Sequence, residues 1–411
     1  MTVSERKVLE VGEILRVEIE KVAHGGHFIA RHEGAVIFIR HGIPGEIVEI
    51  QITGVEKSFA RADVVAVIEP SIDRVSAPCA YSGSCGGCDF QHINPRRQRE
   101  LKSDVIAEQF ARIAKMEVQV EVEEVSPALN WRIRFAATTN SDGEIGFSAI
   151  RSNRIIPIAQ CLVLAPEIDI ATLPRDLIAP RKRIEVSLAS NGDRSIAVTD
   201  IRDGRTAPRI VPQIIEGAKK LQYEVSTSFG VSRYQVSQSS FWQSNISAPA
   251  TLIEAVLKFA DLQLGEHMLD LYGGVGLFSV AALPLVGAGG RIDLIEASTS
   301  ATSDAAVNCE GAANVKIHTG DVGKALRSIK RADVVVLDPP RTGAGADVVS
   351  MIGEIGPRAI IYVACDPAAL ARDTGYLRDA GYHLQSIRSF DLFPMTHHIE
   401  SVALYTVSEV S

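Results

Sequence analysis

Cys365 lies in the run Ile361-Tyr362-Val363-Ala364-Cys365-Asp366-Pro367, where an apolar strand gives way to a helix. A thiol at a helix N-terminus has a lowered pKa, and its thiolate is a nucleophile. The competing reading is a buried structural cysteine. Glu400 closes the segment Phe393-Pro394-Met395-Thr396-His397-His398-Ile399-Glu400, a connection able to bring its carboxylate to the same pocket. His397 and His398 are adjacent and point different ways on a strand, so loop polarity or substrate contact suits them better than a metal pair.

A second group of residues suits a nucleoside ligand. Leu269-Asp270-Leu271-Tyr272-Gly273-Gly274-Val275-Gly276-Leu277-Phe278 reads as strand, glycine turn and helix. Such a turn admits close backbone approach, and the helix N-terminus favours negative charge. Ser279 stands where a dinucleotide fold would prefer a third glycine, so that fingerprint is incomplete. Asp270, Glu296, Asp321 and Asp338 stand at or just past the ends of four strand-like runs, with Glu296 placed to accept from ribose hydroxyls. Each acid alone reads equally well as a helix cap or a solvated turn. As a set they would repel a pyrophosphate and suit S-adenosylmethionine, whose sulfonium is cationic.

These residues require a particular frame. Strand-like runs at Met268–Leu271, Ile292–Ile295, Val315–His318, Val334–Leu337 and Ile360–Ala364 alternate with helical spacing, and His383–Phe390 and Ser401–Val407 resemble a terminal hairpin. That order predicts an α/β fold with a doubly wound, Rossmann-like sheet, whose ligands sit at the carboxyl ends of the strands. Residues 8–69 carry short alternating runs (Ile14–Ile19, Ala35–Ile39, Ile47–Ile50) between glycine turns, which predicts an OB-like β-barrel. A cysteine- and glycine-rich loop spans residues 70–93. Asn94-Pro95 opens a helix with Leu101, Val105, Ile106, Phe110 and Ile113 on one face. Residues 117–235 are β-rich. The expected division is 1–69 for the barrel, 70–93 with 117–240 for a central domain, and 94–116 with 241–411 for the ligand-binding sheet.

The 411 residues are 46% hydrophobic and 22% charged, which excludes a disordered or fibrous chain. A net charge of −8 speaks against a broad basic surface for nucleic acid. The acid excess falls mainly on residues 241–411, however, and residues 71–240 are the only net-positive part. Leu271 to Gly290 is uncharged and long enough to span a bilayer, but its glycines and Pro284 favour a buried loop and helix. The N-terminus shows no secretory signal, so a reducing, cytoplasmic setting without disulfides is expected, with no membrane partner.

Several of these motifs together resemble one family. Phe241-Trp242-Gln243-Ser244-Asn245, the Asp270–Gly276 turn, Asp338-Pro339-Pro340-Arg341-Thr342-Gly343, Cys365-Asp366-Pro367-Ala368-Ala369-Leu370-Ala371-Arg372-Asp373 and Phe393-Pro394…Thr396…His398…Glu400 occur in order. The set is similar to the RNA uracil-C5 methyltransferases, which make 5-methyluridine in tRNA and 23S rRNA. The barrel pattern Gly26…Ala30-Arg31…Gly34…Val36…Phe38-Ile39…Ile43-Pro44-Gly45-Glu46 resembles the RNA-binding TRAM domain. The resemblance implies Cys365 as nucleophile on C6 of uracil and Glu400 as the base that removes the C5 proton. It implies Gln243, Tyr272, Gly274, Gly276, Glu296 and Asp321 as S-adenosylmethionine contacts, and Asp338 on the uracil edge or the cofactor amine. The target uridine must leave its stack, so flipped or single-stranded RNA is expected. Two positions depart from the family: Leu277 stands where an Asn is frequent, and Gly273 where a Cys is common.

Cys79-x5-Cys85-x2-Cys88, with Cys161 as the best fourth ligand, suits tetrahedral zinc or an iron–sulfur cluster by spacing. The resemblance favours [4Fe–4S]. Cys309, in a helical stretch, is then a core residue. Arg96, Arg97, Arg99 and Lys102, then Arg132 and Arg134, Arg151 and Arg154, and Arg181-Lys182-Arg183 are candidate phosphate contacts, with solvated charge as the alternative. Trp131 and Phe135 are candidates for base stacking or core packing. The barrel with the cysteine cluster resembles the 23S rRNA enzymes more than the bacterial tRNA enzyme, and a monomer is expected. Two rivals differ in class. An exocyclic-amine methyltransferase would need an aromatic where Arg341 stands and would need neither Cys365 nor Glu400, and a non-catalytic RNA-binding iron–sulfur protein would keep its function in Cys365→Ala.

Overall fold

The computed structural model describes residues 9–174, 178–201 and 212–407. Its largest sheet has eight strands in the order Val315–Thr319, Arg291–Glu296, His267–Leu271, Val334–Leu337, Ala359–Ala364, Glu400–Val407, Tyr382–Asp391 and Val122–Glu124. The first five are parallel, and Glu400–Val407 runs antiparallel to Ala359–Ala364. Val334–Leu337 and Ala359–Ala364 are buried at every position. Such unbroken apolar runs form the inside of a parallel sheet covered on both faces. Chain order reverses between His267–Leu271 and Val334–Leu337, which opens a crevice beyond Leu271 and Leu337. Every strand expected here forms within a residue or so of its predicted ends. Val122–Glu124, expected in the central part, instead pairs with Ser389–Asp391 as the eighth strand.

The N-terminal sheet has six strands, Ile14–Glu18, Lys21–Ala23, His27–His32, Ala35–Arg40, Ile47–Val55 and Ala60–Glu69, around fully buried Phe28, Ile37, Ile39, Val48 and Ile50. Its core is continuous with helix Pro95–Gln109 and one face of the large sheet. Asn94 caps that helix by accepting from the Arg96 amide, and Pro95 occupies its first turn. Phe110 and Ile113 fall in the π-turn Phe110–Ala114 that follows. Between barrel and large sheet in sequence lie a six-stranded antiparallel sheet from Arg134 to Glu216 and the hairpin Lys220–Thr227/Gly230–Ser237. Among the described residues no helix is long and apolar enough to cross a membrane.

Candidate active site

Two cavities lie at the carboxyl end of the large sheet. The first is a narrow cleft at the crevice, lined by Phe241, Gln243, Tyr272, Gly274, Leu277 and Asp338 among others. Tyr272, Gly274 and Gly276 all take left-handed backbone conformations (φ 61°, 55° and 89°), which turn the chain sharply from strand to helix. Glu296 is fixed beside this turn by the Gly274 amide (3.2 Å) and the Ser298 amide (2.6 Å). Asp321 caps helix Val322–Leu326 through the Lys324 amide and lies close enough to Tyr272 to help burial push its phenol up to about 12.

The strand-end acids therefore divide. Asp270 accepts from the Ser279 amide and hydroxyl (3.1 and 2.6 Å), while its Oδ1 has no partner. Burial pushes it up to about 6. Asp338 has its carboxyl raised by burial and by Asp270. Asp338 lines the cleft, buried Asp270 adds to the negative field on it, and none of the residues lining the cleft is a cation, an arrangement that matches a positively charged ligand. The donor set fits S-adenosylmethionine.

Leu277 lines this cleft, so where an Asn would offer a polar contact the wall is apolar. Gly273 is required by its neighbours: a Cβ there would lie 2.7 Å from Leu294 Cγ. The glycine at this departure is explained by the leucine that fills the space. The cleft-forming loop Phe241–Asn245 is held by Asp304, fully buried in helix Thr299–Asn308. Asp304 accepts from the Ser237 amide (2.8 Å), the Ser237 hydroxyl (2.7 Å) and the Ser240 hydroxyl (2.7 Å). Sequence reasoning missed Asp304, whose partners lie some sixty residues away.

The second cavity, about 160 Å³, is walled by His24, Gly25, Gly26, Lys102, Arg341, Cys365, Asp366, His397 and His398 among others. The register Ala364↔Ser401 makes Cys365 and Glu400 next neighbours across two strands. Burial, then Glu400 and Asp338, push the Cys365 thiol up to about 12, with Arg341 opposing. The expected lowering at the helix N-terminus is overturned here, because burial and carboxylates outweigh the helix end. Glu400 is raised well above the usual carboxylate range by burial and Asp338, again with Arg341 opposing. Cys365, Glu400, Asp338 and Arg341 are thus one electrostatic unit.

The loop before Glu400 is stapled in place. The Asp89 and Phe90 amides donate to the Met395 carbonyl (both 3.0 Å), and the Met395 amide donates to Gln98 Oε1 (2.9 Å). His397 pairs with Asp89 at 2.6 Å. Lys102 is fully buried and donates to Asp391 (2.6 Å) and the Phe393 carbonyl (3.2 Å). Lys102 is therefore no phosphate contact. Most of the other basic clusters are also engaged: Arg96 and Arg97 with Glu100, Arg99 with Glu124, Arg134 with backbone carbonyls, and Lys182 with Asp200. Trp131 and Phe135 are both buried, so neither offers a face to a base. Cys309 is buried as expected.

Away from this centre, Cys79, Cys85, Cys88 and Cys161 line a single cavity of about 270 Å³. Burial raises the thiols of Cys85, Cys88 and Cys161, and neighbouring cysteines add to each rise. Among the described residues no three His, Cys, Asp or Glu side chains converge on the position of one ion.

With this geometry in place, comparison with known proteins is decisive. Residues 8–65 match the TRAM domain, and residues 220–407 match the tRNA (Uracil-5-)-methyltransferase family. A 23S rRNA (uracil(1939)-C(5))-methyltransferase RlmD of Shewanella denitrificans is 30% identical, the match covering 96% of each chain. The chain belongs to the TRAM-bearing uracil-C5 RNA methyltransferases. An uncharacterized RNA methyltransferase of Streptomyces avermitilis is 38% identical, over 96% of this chain and 98% of that one. The crystal structure of Pyrococcus abyssi tRNA (uracil-54, C5)-methyltransferase with S-adenosyl-L-homocysteine shares the fold. It superposes with a TM-score of 0.70 at 23% identity, covering 95% of this chain and 100% of that one.

Proposed function

We propose that this methyltransferase transfers a methyl group from S-adenosylmethionine to C5 of a uridine in 23S rRNA through a covalent bond between Cys365 and C6 of the base. The observation that carries the reading is the adjacency of Cys365 and Glu400, with Asp338 beside both. Uracil C5 is a poor nucleophile. Cys365 releases its thiol proton to solvent, its Sγ adds to C6 to make an enolate, and C5 then takes the methyl group. Glu400 removes the C5 proton, the C5–C6 double bond reforms, and the Cys365–C6 bond breaks. S-adenosylmethionine, when bound, would supply the electrophilic methyl and leave as S-adenosylhomocysteine. Gln243, Tyr272, Gly274, Gly276, Glu296 and Asp321 line or shape its site, and Asp338 stands between the cofactor cleft and the base. Arg341 is the cation that opposes the upward shift of both Cys365 and Glu400.

Cys79, Cys85, Cys88 and Cys161 are assigned to a [4Fe–4S] cluster. Two separate stretches bring four thiols to one cavity far larger than a single ion needs, which favours a cluster over mononuclear zinc. Asp89 follows Cys88 directly and bonds His397, so an ordered cysteine loop holds the segment leading to Glu400.

The assignment to 23S rRNA rests on the relatives named for that substrate. Incubation with labelled S-adenosylmethionine and unmodified 23S rRNA or tRNA transcripts tests it. 5-Methyluridine is expected in the rRNA; label confined to tRNA, or to an exocyclic amine, contradicts the reading.

A further inference from the structure

The barrel reaches the nucleophile. The turn after strand Lys21–Ala23 enters the Cys365 cavity with His24, Gly25 and Gly26. His24 Nε2 lies 3.0 Å from Asp366 Oδ2, across 342 positions of sequence. Asp366 immediately follows Cys365 and uses its other oxygen to cap helix Pro367–Asp379 through the Ala369 amide (2.8 Å). One carboxylate thus ties the nucleophile's turn to its own helix and to the barrel. Gly26 abuts the loop that leads to Glu400: a Cβ there would lie 2.8 Å from His397 Nδ1, and its φ of +77° disfavours any side chain. The same short turn therefore touches the elements carrying both proposed reactive residues.

We propose that the barrel turn Ala23–Gly26 is a wall of the base pocket, and that His24 is a positioning residue that sets the Cys365 turn through Asp366. The barrel is then part of the active site as well as an RNA-binding attachment. A uridine enters a pocket closed on one side by the barrel, so seating of the barrel and alignment of the thiol are coupled. This inference rests on the role proposed for Cys365.

The test uses the full-length protein with His24→Ala, His24→Gln and Gly26→Ala. The first readout needs neither RNA nor cofactor: alkylation of Cys365 by iodoacetamide, followed by mass spectrometry. His24→Ala and Gly26→Ala are expected to alkylate several-fold faster as the wall loosens, with His24→Gln restoring the wild-type rate by donating to Asp366. The second readout is transfer to unmodified transcripts. His24→Ala is expected to lower kcat on the order of tenfold or more with an unchanged KM for S-adenosylmethionine, as small misplacements of reacting groups do. Wild-type alkylation in all three variants, or failure of Gln to restore it, overturns the proposal. If the wild-type protein methylates no RNA, the functional reading falls, while the alkylation rates still decide the role of the barrel turn.

Discussion

Cys365 and Glu400 are next neighbours across two antiparallel strands, because Ala364 pairs with Ser401 at the carboxyl edge of the sheet. The proposed nucleophile and base are therefore placed by strand register, which is strongly specified where a sheet face is buried. The cost of that placement is electrostatic. A buried thiol beside two carboxyl groups rests protonated, and alignment rather than a preformed thiolate prepares the site.

This gives a pH prediction with a definite sign. A thiol raised to about 12 is protonated across the neutral range, and each unit by which the pH rises toward that value multiplies the thiolate fraction by about ten. Alkylation of Cys365 in the free protein should rise roughly tenfold per unit from about pH 7 to about pH 10. A plateau reached by about pH 8 would show an ordinary or activated thiol.

Asp304 predicts a separable effect on the cofactor cleft. Asp304→Ala leaves the Ser237 amide and hydroxyl without their buried acceptor, and the Ser240 hydroxyl with Ser300 alone. Such unpaired groups cost about 1–3 kcal/mol each, so both stability and the seating of Phe241–Gln243 suffer. The expected result is a raised KM for S-adenosylmethionine with kcat largely retained, measured by steady-state kinetics. An unchanged KM contradicts the role given to Asp304.

Lys102 and Asp391 are 1% and 4% exposed and bonded at 2.6 Å. Removing one partner of a buried pair strands the other, at about 3–5 kcal/mol. Lys102→Met should therefore unfold at markedly lower denaturant, and Lys102→Met with Asp391→Leu should recover much of the loss. Weakened RNA binding in a fully stable Lys102→Met protein would restore the phosphate-contact reading.

Protein purified without oxygen should absorb in the visible range and contain about four irons per chain. Cys161→Ser should lose most of that iron. A colourless protein with one zinc contradicts the cluster.

The sequence made the large sheet legible because its central strands are continuous apolar runs, and the chemistry-bearing residues stand at the ends of those runs. The four cysteines around one cavity were legible from spacing and type. Long-range partners were not. Lys102 resembled its basic neighbours Arg96, Arg97 and Arg99, yet Asp391, 289 positions away, makes it a core residue. His24 carried no signal at all, since its meaning depends on where the barrel rests. The direction of the Cys365 shift is hidden for the same reason: the helix end is local, whereas burial and, after it, the Glu400 and Asp338 carboxyls come from distant parts of the chain. Trp131 and Phe135 show the limit of composition, because aromatics beside arginines look alike whether they stack bases or fill a core.

The central claim is the covalent route through Cys365, with Glu400 completing it. The most direct measurement is denaturing gel electrophoresis of Glu400→Gln incubated with S-adenosylmethionine and unmodified 23S rRNA. Without its base the methylated intermediate cannot lose the C5 proton, so a denaturation-resistant protein–RNA species should accumulate, and Cys365→Ala should abolish both that species and methyl transfer. Methylated uridine produced by Cys365→Ala, or wild-type turnover by Glu400→Gln with no trapped species, would contradict the account.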